Sequence, residues 1–147
     1  MKKHQAFTLL ETMISLGIVC SLLIISLYNL KGYQAHVEEQ QSLIWFKDSF
    51  KNAFNYCYLN KRSGSLFLNQ DDNKITFDLD GKNGKRKIYQ KKLPTFMSIV
   101  SASATGYRIS SNGQGAPVTI IFKSTLTKKK YIYKIQMGWG EINEIKT

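Results

Sequence analysis

The chain has 147 residues, with 21 Lys and Arg against 10 Asp and Glu, which gives a net charge of +11. Its 43% hydrophobic content is too high for an intrinsically disordered chain, and its length suits one ordinary domain, or a smaller domain with an appendage. Two cysteines and two histidines exclude a disulfide scaffold and a Cys-built zinc site, and they leave little for His-based catalysis.

The first feature in chain order is an uncharged, mostly apolar stretch of 19 residues from Thr12 to Leu30. As a helix this stretch spans about 28 Å, close to the hydrocarbon core of a bilayer. A removable signal peptide fits less well, because the run is long and no small-x-small cleavage site follows it. Cys20 follows Val19, which does not suit a lipoprotein site. We therefore predict a membrane anchor before a basic soluble part.

The residues before the apolar run form a pattern of their own. The basic start Met1–Lys3 leads to Ala6, and Phe7–Glu11 (Phe-Thr-Leu-Leu-Glu) opens the run. A carboxylate at the edge of a membrane span is costly unless it is paired. The pattern resembles the processing and assembly motif of type IV prepilins, in which a small residue precedes Phe-Thr-Leu-x-Glu and a long hydrophobic helix.

This resemblance implies a course of maturation and assembly. A prepilin peptidase would cut between Ala6 and Phe7 on the cytoplasmic side, and Phe7 would then be N-methylated. Glu11 would pair with the N-terminal ammonium of a neighbouring subunit and set the axial stagger between subunits. The sequence departs from the usual motif in Ala6, where Gly is common, and in Tyr28, where major pilins carry Pro. The second departure favours a minor pilin or pseudopilin.

The helix is predicted to continue beyond the apolar run as an amphipathic half. Apolar residues recur there at helical spacing, and we expect this stripe to pack on the protein's own sheet. The stripe consists of Leu43, Phe46, Phe50, Ala53 and Cys57. The residues assigned to the polar face are Glu38, Glu39, Gln40, Lys47, Asp48, Lys51 and Asn52. A helix through both cysteines would separate Cys20 from Cys57 by about 55 Å, which excludes a disulfide between them.

From Lys61 onward the pattern changes to short strands separated by turns. Strands are predicted at Ser65–Leu68, Lys74–Leu79, Arg86–Lys91, Phe96–Ser101, Tyr107–Ser110, Pro117–Lys123, Lys130–Met137 and Glu141–Ile145. The predicted fold class is therefore α+β, with one long N-terminal helix packed on a C-terminal antiparallel β-sheet domain. The expected divisions are a leader at 1–6, a hydrophobic assembly helix at 7–30, an amphipathic helix at 31–60 and the sheet domain at 61–147.

Two C-terminal stretches strengthen the resemblance. Asn112–Phe122 resembles the Gly-rich turn and strand of minor pseudopilins, and Tyr131–Ile142 resembles their closing hairpin. The whole chain is similar to type IV pilin-like minor pseudopilins, in particular to the ComGD-type competence pseudopilins of Gram-positive bacteria. The resemblance implies a pilin-like, non-enzymatic protein without a cofactor, anchored in the cell membrane and assembled into a surface filament for DNA uptake. The implied partners are other major and minor pseudopilins, the prepilin peptidase, an assembly ATPase and a membrane platform protein.

Two further patterns lie in the sheet domain. Basic residues cluster together with Tyr89 and Tyr131, and such residues can neutralise DNA phosphates without sequence choice. The candidate DNA contacts are Lys82, Lys85, Arg86, Lys87, Lys128, Lys129 and Lys130. The alternative is a solvated face, or attraction to anionic wall polymer or lipid. The turn at Asp78-x-Asp80-Gly81 is not predicted to hold calcium, because basic residues crowd it.

Three functions stay open at this point. The first is a minor pseudopilin of a competence pilus, and the second is a minor pseudopilin of a type II secretion system. The third is a single-pass anchored module that binds DNA or an anionic polymer and never assembles. Only the assembly functions need the carboxylate of Glu11.

Overall fold

A computed structural model describes residues 8–100, 106–137 and 140–146. Helix α1 (Leu9–Asn60) is followed by short strands, with a 3-10 turn at Lys82–Gly84. The strands are β1 (Gly64–Asn69), β2 (Lys74–Asp80), β3 (Arg86–Lys92), β4 (Met97–Ile99), β5 (Tyr107–Ile109), β6 (Val118–Ser124), β7 (Lys130–Ile135) and β8 (Ile142–Lys146). The chain divides into two units, Met1–Val37 and Glu38–Thr147.

The strands form two antiparallel sheets, with the orders β3-β2-β1-β5 and β4-β6-β7-β8. Neighbouring strands are antiparallel throughout. The predicted α+β fold, a long helix packed on antiparallel strands, is confirmed. The division into two sheets is a finding of the structure, because short alternating strands carry no signal for their partners.

The turn between β1 and β2 shows how local chemistry ends and restarts a strand. Asn69 Oδ1 accepts a hydrogen bond from the backbone amide of Asp72 at 3.1 Å, and Asn69 Nδ2 donates to Asp72 Oδ2 at 2.8 Å. Asn73 adopts φ 51°, which Asn tolerates better than most residues. These contacts reverse the chain, so that β2 returns alongside β1 in register.

The core of the second unit lies where its helix segment meets both sheets. Phe46 is central, because its ring centroid lies 6.4 Å from that of Phe77 on β2 and 5.0 Å from that of Phe122 on β6. The predicted apolar stripe from Leu43 to Cys57 is buried, and its expected packing on the sheets is confirmed. Burying large aromatic side chains of this kind is the main source of stability for a small domain.

One residue of the predicted polar face was assigned wrongly. Glu39 has no exposed surface at all, although its carboxylate suggested a solvated position. It lies four residues before Leu43 and therefore on the buried face of the helix. Three hydroxyl groups, from Ser124, Thr127 and Tyr131, donate to its carboxylate oxygens, and these bonds make the burial of a carboxylate tolerable.

Candidate functional site

The start of α1 carries the residue predicted to drive assembly. The backbone amide and the hydroxyl of Thr8 each donate to Glu11 Oε2 at 3.0 Å, and the Glu11 amide donates back to Thr8 Oγ1 at 3.4 Å. This reciprocal pair is a capping box, which satisfies amide groups that the first turn of a helix leaves without partners. The predicted processing residues, Ala6 and Phe7, lie outside the described residues.

The helix behind this cap is apolar over a long surface. In the described part of the chain, α1 is long and apolar enough to cross a membrane, with an 18-residue window of mean hydropathy 2.1. Its large apolar side chains are exposed, as at Leu9 (80%) and Ile24 (68%). A contiguous apolar surface of this length is stable only where lipid or other apolar helices shield it from water.

Hydroxyl groups within the apolar run are satisfied by the helix itself. Ser15 donates to the Glu11 carbonyl at 2.7 Å, and Ser26 donates to the Leu22 carbonyl at 2.9 Å. Serine side chains bonded in this way do not need water. These serines are therefore compatible with an apolar surrounding.

The first basic cluster lies on the edge strand β3 and the turn before it. Arg86 pairs with Asp78 at 2.9 Å, and the Lys87 ammonium lies 5.2 Å from the ring centroids of both Tyr56 and Tyr89. A hydrogen bond with Tyr89 raises the pKa of Lys87. The remaining members, Lys82 and Lys85, lie exposed in and after the 3-10 turn.

The second basic cluster lies on the other sheet. Lys128 and Lys129 form the turn before β7, where Lys128 takes the left-handed φ of 56°, and Lys130 begins the strand. The candidate DNA contacts are thus divided between the edge of the first sheet and a turn of the second. Sequence spacing alone could not show this division, because the strand order is not sequential.

The acidic residues Asp78 and Asp80 each have a partner within the protein. Asp78 binds Arg86, and Ser63 donates to Asp80 Oδ2 at 2.6 Å. Among the described residues, no group of three His, Cys, Asp or Glu is placed to hold a metal ion. Both cysteines are free thiols, with Cys20 exposed and Cys57 buried.

Solved structures with the same fold include minor pseudopilins. The structure of the minor pseudopilin EpsH from the Type 2 Secretion System of Vibrio cholerae matches with a TM-score of 0.58 and 13% identity, over 74% of this chain and 96% of that chain. A crystal structure of the same Vibrio cholerae pseudopilin matches with a TM-score of 0.56 and 13% identity, over 74% and 93% of the two chains. No protein-family profile and no curated protein sequence matches. The likeness shows that this chain has a pilin-like fold.

Proposed function

We propose that the chain is a minor pseudopilin, cut between Ala6 and Phe7 and assembled with other pilin-like subunits through α1. The observation that supports this best is the pilin-like fold whose long helix begins at Leu9, is capped by Thr8 and Glu11, and presents an exposed apolar surface. Before processing, the chain would be a single-pass membrane protein with its N-terminus in the cytoplasm. The prepilin peptidase, an assembly ATPase and a membrane platform protein would act on it in turn.

The geometry at Glu11 leaves room for a second partner. Both hydrogen bonds from Thr8 end on Oε2, and in the described part of the chain no hydrogen bond reaches Oε1. The N-terminal ammonium of Phe7 from a neighbouring subunit would bind this second oxygen. In a bundle of apolar helices an unpaired carboxylate is expensive, so the pair would fix the stagger between subunits.

Processing is tested by the N-terminal residue and the intact mass of the protein from cells with and without the prepilin peptidase. We expect a start at Phe7 with one added methyl group, and only where the peptidase is present. An intact Met1 in both strains, or cleavage near Ala35, would overturn the proposal. The anchored binding module would then be the better function.

Assembly is tested by separating the two roles of Glu11. Glu11→Gln keeps a side chain that can close the capping box but removes the negative charge, whereas Thr8→Ala weakens the cap and keeps the charge. We expect Glu11→Gln to lose filament incorporation as fully as Glu11→Ala does, and Thr8→Ala to retain it. Normal incorporation of Glu11→Gln would mean that Glu11 serves only its own helix.

The finer proposal is a competence pilus that takes up DNA, and it follows the resemblance to the ComGD-type pseudopilins. Deletion of the protein should then abolish transformation and leave protein secretion unchanged. The type II secretion alternative is favoured by the EpsH structures, which come from such a system. In that case deletion would stop protein secretion and leave transformation unchanged.

Direct DNA contact is a second candidate activity, favoured by the exposed edge strand β3 with its lysines and Tyr89. We expect the full chain in detergent to bind duplex DNA with an affinity that falls steeply with salt. Replacing Lys85, Arg86 and Lys87 together by Ala should weaken binding and flatten the salt dependence. A chain that shows no binding at low salt would leave these residues as a solvated face.

A further inference from the structure

The outer face of the second sheet carries a row of apolar side chains, which we name the apolar row: Val100, Ile121, Ile132 and Ile145. Ile121 lies opposite Ile132, and Ile132 lies opposite Ile145 in the strand register. Val100 continues the row, because its amide donates to the Ile121 carbonyl at 2.8 Å. Four neighbouring positions at strand spacing make a row about 14 Å long.

This row faces away from the protein's own core. Successive side chains of a strand point to opposite faces, and the sequence neighbours Ile120, Phe122, Tyr131 and Tyr133 are buried against the helix side. Val100 is 48% exposed and Ile145 is 42% exposed, while the two central isoleucines are partly exposed. A soluble antiparallel sheet normally places polar residues on such a face.

Lysines lie on both sides of the apolar row. Lys123 and Lys130 are directly opposite each other across β6 and β7, and Lys134 lies beyond Ile132 on β7. Like charges at directly opposite positions destabilise a sheet. Within the described residues, the ion pairs are Lys47–Glu144 and Arg86–Asp78, so these three lysines have no carboxylate partner there. An anionic partner from outside the chain would relieve this repulsion.

We propose that this face docks another subunit of the filament, one that places apolar side chains between carboxylates. The inference rests on the proposed function as a pseudopilin. A second copy of this chain is a poor partner, because it carries the same lysines and a net charge of +11. An anionic lipid surface also attracts lysines around apolar side chains, so a crosslink from Ile132 to lipid and not to protein would overturn the proposal.

The proposal is tested with a photo-crosslinking amino acid placed in the full-length chain, in the cells that produce it, at one position at a time. Ile132 reports the apolar row, and Leu16 reports assembly through the helix. Ile88, which is 56% exposed on the first sheet, is the matched control. We expect Ile132 and Leu16 to crosslink to another pilin-like subunit, identified by mass spectrometry, and Ile88 to give at least tenfold less product.

The outcomes separate the two proposals. The docking face is overturned if Leu16 crosslinks but Ile132 does not, or if Ile132 crosslinks only to a second copy of the chain. The proposed pseudopilin function is unaffected by either result. Loss of both crosslinks, together with an unprocessed N-terminus, overturns both proposals. Cys57 is buried, so its protection from alkylation in each variant verifies that the fold is intact.

A charge reversal provides a second arm of the test. Lys123→Glu combined with Lys130→Glu should reduce the Ile132 crosslink about tenfold, because carboxylates would then face the partner's own. The matched control reverses Lys51 and Lys61, which are also exposed but lie away from the second sheet's outer face. An unchanged crosslink in the Lys123 and Lys130 variant would overturn the charge complementarity on which the choice of partner rests.

Discussion

Glu39 is the side chain that ties the helix to the turn between β6 and β7. Its carboxylate accepts hydrogen bonds from Ser124 Oγ at 2.7 Å, Thr127 Oγ1 at 2.9 Å and the Tyr131 hydroxyl at 2.5 Å. Burial, and then the bond to Glu39, raise the pKa of Tyr131. Charge-assisted bonds of this kind are shorter and stronger than those between neutral groups.

Replacing Glu39 should therefore be costly. We expect Glu39→Ala to lower the free energy of unfolding by about 3 kcal/mol, because the three hydroxyls lose their acceptor in a buried place. Glu39→Gln should cost about half as much, since its amide oxygen can still accept. Denaturant titration of the full chain in detergent measures both. The control is Glu38→Ala, at the exposed neighbouring position, which should change the free energy of unfolding by less than about 0.5 kcal/mol. Equal losses at both positions would contradict the role of Glu39 as a buried acceptor.

Cys57 makes the stability depend on pH in the alkaline range. Burial, assisted by the charge of Asp80, raises the pKa of its thiol from 9.0 to about 11. The folded chain therefore holds this proton more tightly than the unfolded chain. The contribution of the protonated thiol to the free energy of unfolding is fully present below pH 9.0, and it is lost as the pH rises through about 11.

We expect the free energy of unfolding to fall more steeply above pH 9.0 in the natural chain than in Cys57→Ala. Burial also raises the pKa of Tyr107 to about 12, and the tyrosines act in the same direction. The natural chain and the Cys57→Ala variant contain the same tyrosines. The difference between their unfolding free energies therefore reports the effect of Cys57 alone. Unfolding monitored by fluorescence from pH 8 to pH 11 checks this, and parallel curves would refute it.

The two glutamates show what the sequence can reveal at this scale. The assembly role of Glu11 is a prediction from a motif with fixed neighbours. Its place in the capping box follows from the Thr8-x-x-Glu11 spacing, but we did not predict it. Glu39 was misassigned by residue type, although its distance from Leu43 already placed it on the buried face. Its hydroxyl partners are about ninety residues away in the chain, and no local pattern reveals them.

At the scale of elements, the turn between β5 and β6 packs its backbone directly on the helix. Gly113 has φ +68°, and a Cβ added there would lie 2.8 Å from Cβ of Tyr58. Its amide donates to the Ser110 carbonyl at 2.9 Å, which closes the turn. A side chain here would meet both an unfavourable backbone conformation and a neighbour that cannot move far.

We expect Gly113→Ala to lower the free energy of unfolding by about 3 kcal/mol, from the left-handed backbone together with the clash. Gly84 provides the matched control, because it has φ +75° but no atom within 4 Å of an added Cβ. Gly84→Ala should thus cost only about 1 kcal/mol. Thermal unfolding of the two variants measures the difference, and equal losses would mean that the contact with Tyr58 is unimportant.

Strand positions followed from alternation and turn residues, but strand partners did not. The β1–β2 and β6–β7 hairpins connect neighbours in sequence, as local signals suggest. The pairing of β5 with β1 and of β4 with β6 joins distant segments and splits the domain into two sheets. Such pairings are decided by which apolar faces cover the helix, and this is a property of the whole packing.

The molecule as a whole combines an apolar helix with a basic body. The fold could be predicted because this combination, with Phe7–Glu11 in front, resembles a known family and the structure has the same architecture. The sequence could not decide whether the protein works in a competence pilus or in a type II secretion system. Fold and charge are shared by filaments with different tasks, and the choice between them depends on partners outside the chain.

The apolar run should decide whether the whole molecule stays with the membrane. We expect Leu16→Lys combined with Leu23→Lys to move the chain into the soluble or aggregated fraction, because each charge near the centre of a span costs about 3 kcal/mol. Leu59→Lys is the control, since Leu59 is 77% exposed on the same helix but beyond the apolar run. Alkaline extraction of membranes followed by immunoblotting distinguishes the fractions. Retention of the doubly charged variant would argue against a membrane span.

The hydrogen bonds at Glu39 also determine how the protein would bear a pulling force. Tension along α1 from its N-terminal side enters the second unit at Glu38 and meets the Glu39 carboxylate one residue later. The hydroxyls of Ser124, Thr127 and Tyr131 converge on this one side chain, so sliding the helix along its axis loads their bonds together instead of one by one. The turn between β6 and β7 would thus take up mechanical load close to the point where the force enters.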